Sequence, residues 1–245
     1  ALGAGVQQGG QAVYGIGTFE CITPVFDAIP GDSVLLHAGL SMEHHVVDGK
    51  YVTLIYNQGG SLVKWFRDTF AAGMTAVDRD IYTQLSNEIP SAPTDLFTLP
   101  YFEPTGPPEY VADGPGAILG LKTTTTRGEI LKSIMESVTF YLADASSCLE
   151  SIGQKPESFV ATGGGAKSDS WLQIKADIFG LPLIRNTTVE CSALGAVILA
   201  GRGAGLISCD TSDFAKPEKR FEPDAHRHKQ YRQRLVDYRH WVHRI

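Results

Sequence analysis

Residues 158–186 read SFVATGGGAKSDSWLQIKADIFGLPLIRN. An apolar run, Ser158 to Thr162, ends in three glycines, and a helical pattern follows from Ser168. After Gly180 comes a second apolar run, LPLIRN. Strand, glycine loop, helix, strand is the grammar of an α/β sheet. The stretch that follows, ECSALGAVILAGRGAG from Glu190, predicts a further helix rich in small residues. Three adjacent glycines remove every Cβ from the turn and let a flat ring or a phosphate approach the backbone. The helix N-terminus beyond them adds unsatisfied N–H groups and a favourable dipole. The pattern is neither the GxGxxG of dinucleotide folds nor a P-loop, which needs Lys-Ser/Thr. A plain strand-to-helix turn explains the same glycines.

Upstream, QAVYGIGTFECITPV (residues 11–25) predicts strand structure with a glycine break at Gly15 and Gly17. Gly15-Ile16-Gly17-Thr18 can turn sharply and aim backbone N–H groups and a hydroxyl at a phosphate; a glycine-rich hairpin accounts for it equally. HHVVDGKYVTLIYN (44–57) predicts a β-hairpin turning at Asp48-Gly49. Gly59-Gly60 opens a helix with Ser61 as N-cap and Gly73 as its stop, and Leu62, Trp65, Phe66 and Phe70 fall on one face. Lys64 on that helix reads either as one wall of an adenine pocket or as a solvated side chain.

Residues 87–116 are rich in Pro and Gly, with FTLPYF as a buried-strand candidate inside them. Four threonines, Thr123 to Thr126, precede a long amphipathic helix expected to run to Ile152 with Gly153 as its C-cap. A last charged amphipathic helix spans Asp224 to Val242.

Composition narrows the function classes. The chain has 245 residues and a formal net charge of −6. A mildly acidic balance argues against nucleic-acid or anionic-membrane partners, yet leaves room for a local phosphate site built from backbone N–H groups. Cys21, Cys148, Cys191 and Cys209 form no CxxC pair and are expected as reduced thiols in a cytoplasmic protein. His44-His45 and His226/His228 lack carboxylate or Cys partners at metal-binding spacing. No signal peptide or membrane span is visible. A hydrolase or thiol enzyme built on Cys21 or Cys191 lacks a supporting constellation.

Taken in order, the glycine loops follow the layout of actin-like ATPase domains, in which two loop elements clamp a nucleotide. Three stretches carry a closer resemblance: GAILGLKTTTTRGEILKSIMES, ATGGGAKSDSWLQIKADIFGLPL and ECSALGAVILAGRGAG. Together they resemble the C-terminal domain of the FGGY carbohydrate kinases. The resemblance covers nearly the whole chain and implies an actin-like ATPase (ribonuclease H-like) domain over residues 1–245, a mixed β-sheet flanked by helices. It implies ATP and Mg²⁺ as cofactors. Gly17 and Thr18 match the phosphate-binding turn, and Gly60 and Lys64 match positions walling adenine and ribose. Gly164, Gly165 and Ala166 match the loop against adenosine, and Asp169 stands where a polar residue often meets the base. Phe19-Glu20 departs from the small residues that usually follow the turn.

The resemblance also implies a division of labour. The family's general-base aspartate precedes the helix that leads into the phosphate turn, so it is expected upstream of Ala1, in a sugar-binding N-terminal domain absent from this chain. No catalytic residue is then expected within the chain, and the fragment alone is expected to be inactive. A pentulose such as xylulose is the expected acceptor, by likeness to the xylulose kinase branch. Glycerol, gluconate, a deoxyhexulose, or a non-catalytic actin-like role are the alternatives. An open interdomain face is also compatible with a homodimer.

Overall fold

The computed structural model describes residues 1–74, 81–112, 114–207, 213–242 and 244. A 3₁₀ turn, Leu2–Ala4, leads into β1 (Gln11–Ile16), which pairs antiparallel with β2 (Glu20–Phe26). The register Ile16↔Glu20 closes a turn over Gly17, Thr18 and Phe19. After α1 (Asp32–His37) the expected hairpin is present but short: β3 (Glu43–His44) pairs with β4 (Tyr51–Val52) across Gly49, whose φ is +71°. β5 (Ile55–Asn57) does not continue that hairpin. It pairs with the start of β2 instead.

The helix α2 (Gly59–Phe70) begins two residues before the expected N-cap. The Asn57 side chain accepts the Gly59 N–H (3.1 Å), and the Ser61 N–H donates to the Thr18 carbonyl (3.1 Å). Ser61 is therefore an interior residue tied to a neighbouring turn. The helix ends before Gly73. Leu62 and Phe66 are buried, while Phe70 is 40% exposed.

A short helix α3 (Ile81–Asn87), strands β6 (Phe97–Leu99) and β7 (Ala117–Leu119), and α4 (Arg127–Ala145) follow. β6 is fully buried, as its apolar run implies. Thr126 and Glu129 form a capping box at the start of α4, satisfying orphan N–H groups in both directions. The single helix expected to Ile152 is instead α4 plus α5 (Ser147–Ser151). Gly153 does adopt the left-handed conformation, with φ +70°. Nor is α4 amphipathic. Lys132, Ser133, Glu136, Ser137 and Thr139 are buried beside its apolar residues, because α2, α6, α8 and β6 pack around it.

β8 (Ser158–Thr162), α6 (Asp169–Phe179), β9 (Leu183–Asn186), α7 (Cys191–Gly203), β10 (Pro217–Phe221) and α8 (Ala225–Val242) complete the chain. β8 lies parallel to both β1 and β9, and β10 is antiparallel to β9. The mixed sheet runs β10-β9-β8-β1-β2-β4-β3, with β5 attached to β2. Alternation along β1 sorts its residues. Ala12, Tyr14 and Ile16 join the large core under α2, α4, α6 and α8, while Val13 joins a smaller core with Val160 and Cys191. Among the described residues no helix is long and apolar enough to cross a membrane. Cys21, Cys148 and Cys191 are not disulfide-bonded; Cys209 lies outside the described residues.

Candidate functional site

β1 and β8 lie side by side and in parallel, so their C-terminal ends bring two glycine loops together. The first is the β1–β2 turn. Its Gly17 N–H donates to the Phe19 carbonyl (3.0 Å), and the Thr18 carbonyl accepts the Ser61 N–H of α2. The second follows β8. Gly163, at φ +87°, donates its N–H to the Val189 carbonyl (2.9 Å). A 3₁₀ turn, Gly164–Lys167, then leads into α6, whose N-cap Ser168 accepts the Trp171 N–H (3.3 Å).

The glycines do different jobs. A Cβ on Gly165 would stand 2.3 Å from Ile16 Cγ2, and one on Gly163 2.8 Å from the Ile16 carbonyl. Ile16, at the tip of β1, is thus the shared backing of both loops. A Cβ on Gly60 would stand 1.7 Å from the Gly17 carbonyl, so α2 meets the first turn backbone to backbone. Gly164 alone of these has open space, with no heavy atom within 4 Å of a built Cβ. It is the position where bare backbone faces the void.

That void is a cavity of about 530 Å³, within the range of small-molecule sites. Gly17, Thr18, Gly60, Lys64, Gly164 and Gly165 all line it. Ala166 is fully buried and is not part of the lining. Asp169 is not brought to the cavity either. Its carboxylate takes Arg185 Nη1 and Lys219 Nζ, each at 2.6 Å, and the Lys219 hydrogen bond above all holds its pKa below the usual carboxylate value.

Sequence reasoning missed one wall. Tyr82, Leu85 and Ser86 of α3 and Leu131 and Met135 of α4 close the cavity, and Lys167 and Trp171 flank the second loop. The signal for α3 was present, since Ile81, Leu85 and Ile89 recur every four residues. Among the described residues, Lys64 and Lys167 are the charged ones in the lining, and no carboxylate stands with them. In a protein of net charge −6 this cavity is locally set up for an anion. A second cavity, about 540 Å³, lies between α1 and the α4–α5 junction. It is more open, and Glu109 and Asp144 border it, so its charge opposes an anion.

A mixed sheet flanked by helices, with two glycine loops meeting over a cavity, is the architecture of an actin-like ATPase domain. The structure superposes on the ligand-bound xylulose kinase of Lactobacillus acidophilus with a TM-score of 0.80 and 25% identity, over 97% of this chain and 48% of that one. Residues 32–204 match the model of the C-terminal domain of the FGGY family of carbohydrate kinases, and the chain belongs to that family. A xylulose kinase of Staphylococcus epidermidis is 29% identical over 242 residues, 95% of this chain and 47% of the relative. A gluconokinase of Bacillus licheniformis is 29% identical over 244 residues, 94% of this chain and 46% of the relative. The chain thus spans about half the length of the curated relatives it matches.

Proposed function

We propose that this chain is the nucleotide-binding half of an ATP-dependent sugar kinase, and that the cavity between the two glycine loops holds ATP. The observation that carries the reading is Gly164, bare backbone lining a cavity of about 530 Å³ into which, among the described residues, two lysines bring the charge. Thr18, presented by the β1–β2 turn, receives the terminal phosphates with its hydroxyl and backbone. Gly164 and Gly165 give the adenosine a face without side chains, and Gly60 and Lys64 of α2 form the facing wall. Ala166 and Asp169 support the second loop from behind, Ala166 by packing and Asp169 through Arg185.

The reaction in this reading is in-line transfer of the γ-phosphoryl group to a sugar hydroxyl. The general base and most sugar contacts are assigned to sequence outside this chain, which is consistent with relatives about twice as long. Among the described residues no group of three ligating side chains could hold a metal ion. In this reading Mg²⁺ enters with the nucleotide, whose phosphate oxygens are its natural ligands, and no residue of this chain is assigned to it. A pentulose such as xylulose is the proposed acceptor, because relatives and structural neighbours named xylulose kinase match nearly the whole chain. A cytoplasmic location fits Cys21, Cys148 and Cys191, which are not disulfide-bonded.

The test is ADP release by the full-length protein supplied with Mg–ATP and a panel of pentuloses, glycerol and gluconate. Release stimulated by a pentulose supports the reading. Stimulation by glycerol or gluconate keeps the kinase and changes the acceptor. Tight nucleotide binding with no acceptor turned over would point to a non-catalytic actin-like module.

A further inference from the structure

Directly beneath the cavity lies a charged cluster that the proposed reaction does not use. Lys175 of α6 is completely buried, and its ammonium group has three hydrogen-bond partners. It donates to Glu20 Oε2 (2.5 Å), to the Tyr14 hydroxyl (3.1 Å) and to Thr139 Oγ1 (3.2 Å). Tyr14 in turn donates to Glu20 Oε2 (3.2 Å). The ammonium also lies over the rings of Tyr14 and Trp171, at 4.5 and 4.8 Å. Glu20 is equally buried, and its Oε1 has no hydrogen-bond partner.

Stability does not explain this pair. Desolvating two ions costs several kcal/mol each, and well-packed apolar residues of similar volume are often as stable or more so. What the cluster does have is position. Tyr14 and Glu20 lie on the two strands that present Gly17 and Thr18, and Glu20 faces Ile16 in the strand register. Glu20 Oε1 abuts Gly59, where an added Cβ would stand 2.6 Å away, so the carboxylate also sets how closely α2 approaches. Lys175 lies one helical turn beyond Trp171 of the cavity wall. The second glycine loop is held chiefly by contacts outside the cluster: Gly163 and Thr162 both donate to the Val189 carbonyl, and what it shares with the first turn is Ile16, on which Gly165 packs.

We infer that Lys175, Glu20 and Tyr14 form a positioning cluster for the phosphate turn, so that the polyphosphate part of nucleotide affinity depends on them and the adenosine part does not. The inference rests on the nucleotide reading of the cavity. It gives the buried acidic residue that follows the turn a partner on α6.

The experiment compares Kd for adenosine and for Mg–ADP on the full-length protein, by calorimetric titration. Their ratio isolates the contribution of the phosphates. The variant is Glu20→Gln with Lys175→Met, which removes both charges together and strands no buried ion. Mg–ADP affinity is expected to fall about tenfold, equivalent to about 1.4 kcal/mol, while adenosine affinity stays within about twofold. Tyr14→Phe keeps the ion pair but deletes the two hydrogen bonds of the Tyr14 hydroxyl, and should lower Mg–ADP affinity about threefold to tenfold. An unchanged ratio in the double variant overturns the inference while the nucleotide reading stands. An equal loss for both ligands also overturns it, since that is general loosening. If the double variant does not fold, Tyr14→Phe decides alone, and an unchanged ratio there overturns the inference. A wild-type protein that binds neither ligand, or binds both equally, overturns the nucleotide reading and this inference together.

Discussion

Substituting the glycines of the two loops should separate stability from binding, because their surroundings differ. Gly164 has no heavy atom within 4 Å of a built Cβ and its φ is not left-handed, so Gly164→Ala should fold normally. Lower unfolded-state entropy should stabilise it by about 0.4–1 kcal/mol. At Gly165 the Cβ meets Ile16 Cγ2 at 2.3 Å and the Ile16 carbonyl oxygen at 3.1 Å, and overpacking of this kind costs about 1–3 kcal/mol. At Gly60 the Cβ meets the Gly17 carbonyl oxygen at 1.7 Å, which cannot move without breaking the β1–β2 turn. Gly60→Ala should therefore be the most damaging of the three. Binding should follow a different order. Gly164→Leu places a branched side chain where the adenine would lie and should remove most of a base-stacking contribution, about 1–3 kcal/mol. That corresponds to about fivefold to 150-fold in Kd for Mg–ADP. Urea denaturation gives the stabilities and calorimetric titration the affinities. If Gly164→Leu binds Mg–ADP as tightly as wild type, the second loop does not face the nucleotide. If Gly164→Ala is less stable than Gly165→Ala, the packing argument itself is refuted.

Other perturbations test the supporting structure. Asp169→Asn should change Kd for Mg–ADP by no more than about twofold, and its stability cost should stay within about 1 kcal/mol because the ion pairs are half exposed. The folded Asp169 carboxyl has a depressed pKa, so the stability difference from Asn should be present above the unfolded value, about 3.9. It should then disappear as pH falls through the lower folded value, which acid titration of both proteins would show. Lys132 donates to the carbonyls of Pro90 and Ala92 (2.6 Å each) and lies 3.8 Å from buried Glu136. Lys132→Met strands that carboxylate and should cost about 3–5 kcal/mol in urea denaturation. Thr126→Ala removes the capping box of α4 and should cost about 1 kcal/mol by the same measurement.

The glycine loops, the strands beside them and the helices after them were legible because each depends on local signals. Apolar runs of period two, Gly-rich breaks and capping residues act within a few positions of one another. The hairpin at Asp48-Gly49 was readable for the same reason, since Gly49 supplies the positive φ. Boundaries failed where a distant group intervened. α2 starts early because Asn57 and Thr18 take its first N–H groups, and α4 is buried all round because four other elements pack on it. Pattern alone cannot reveal a helix surrounded by protein, since its polar residues look like a solvated face.

At the site, residue type alone marks the positions that could admit a phosphate or a ring. Glycine's missing Cβ is a local property, and Gly17, Gly60, Gly164 and Gly165 were marked by it alone. What each glycine does depends on how the elements pack. Gly165 and Gly60 are packed against Ile16 and Gly17, and Gly164 is open. Only the tertiary structure turned Asp169 toward Arg185 and Lys219, closed the cavity with α3, and set Lys175 against Glu20, 155 residues away in sequence. Charge pairing and burial arise from which elements meet across the sheet, and no short stretch of chain encodes that.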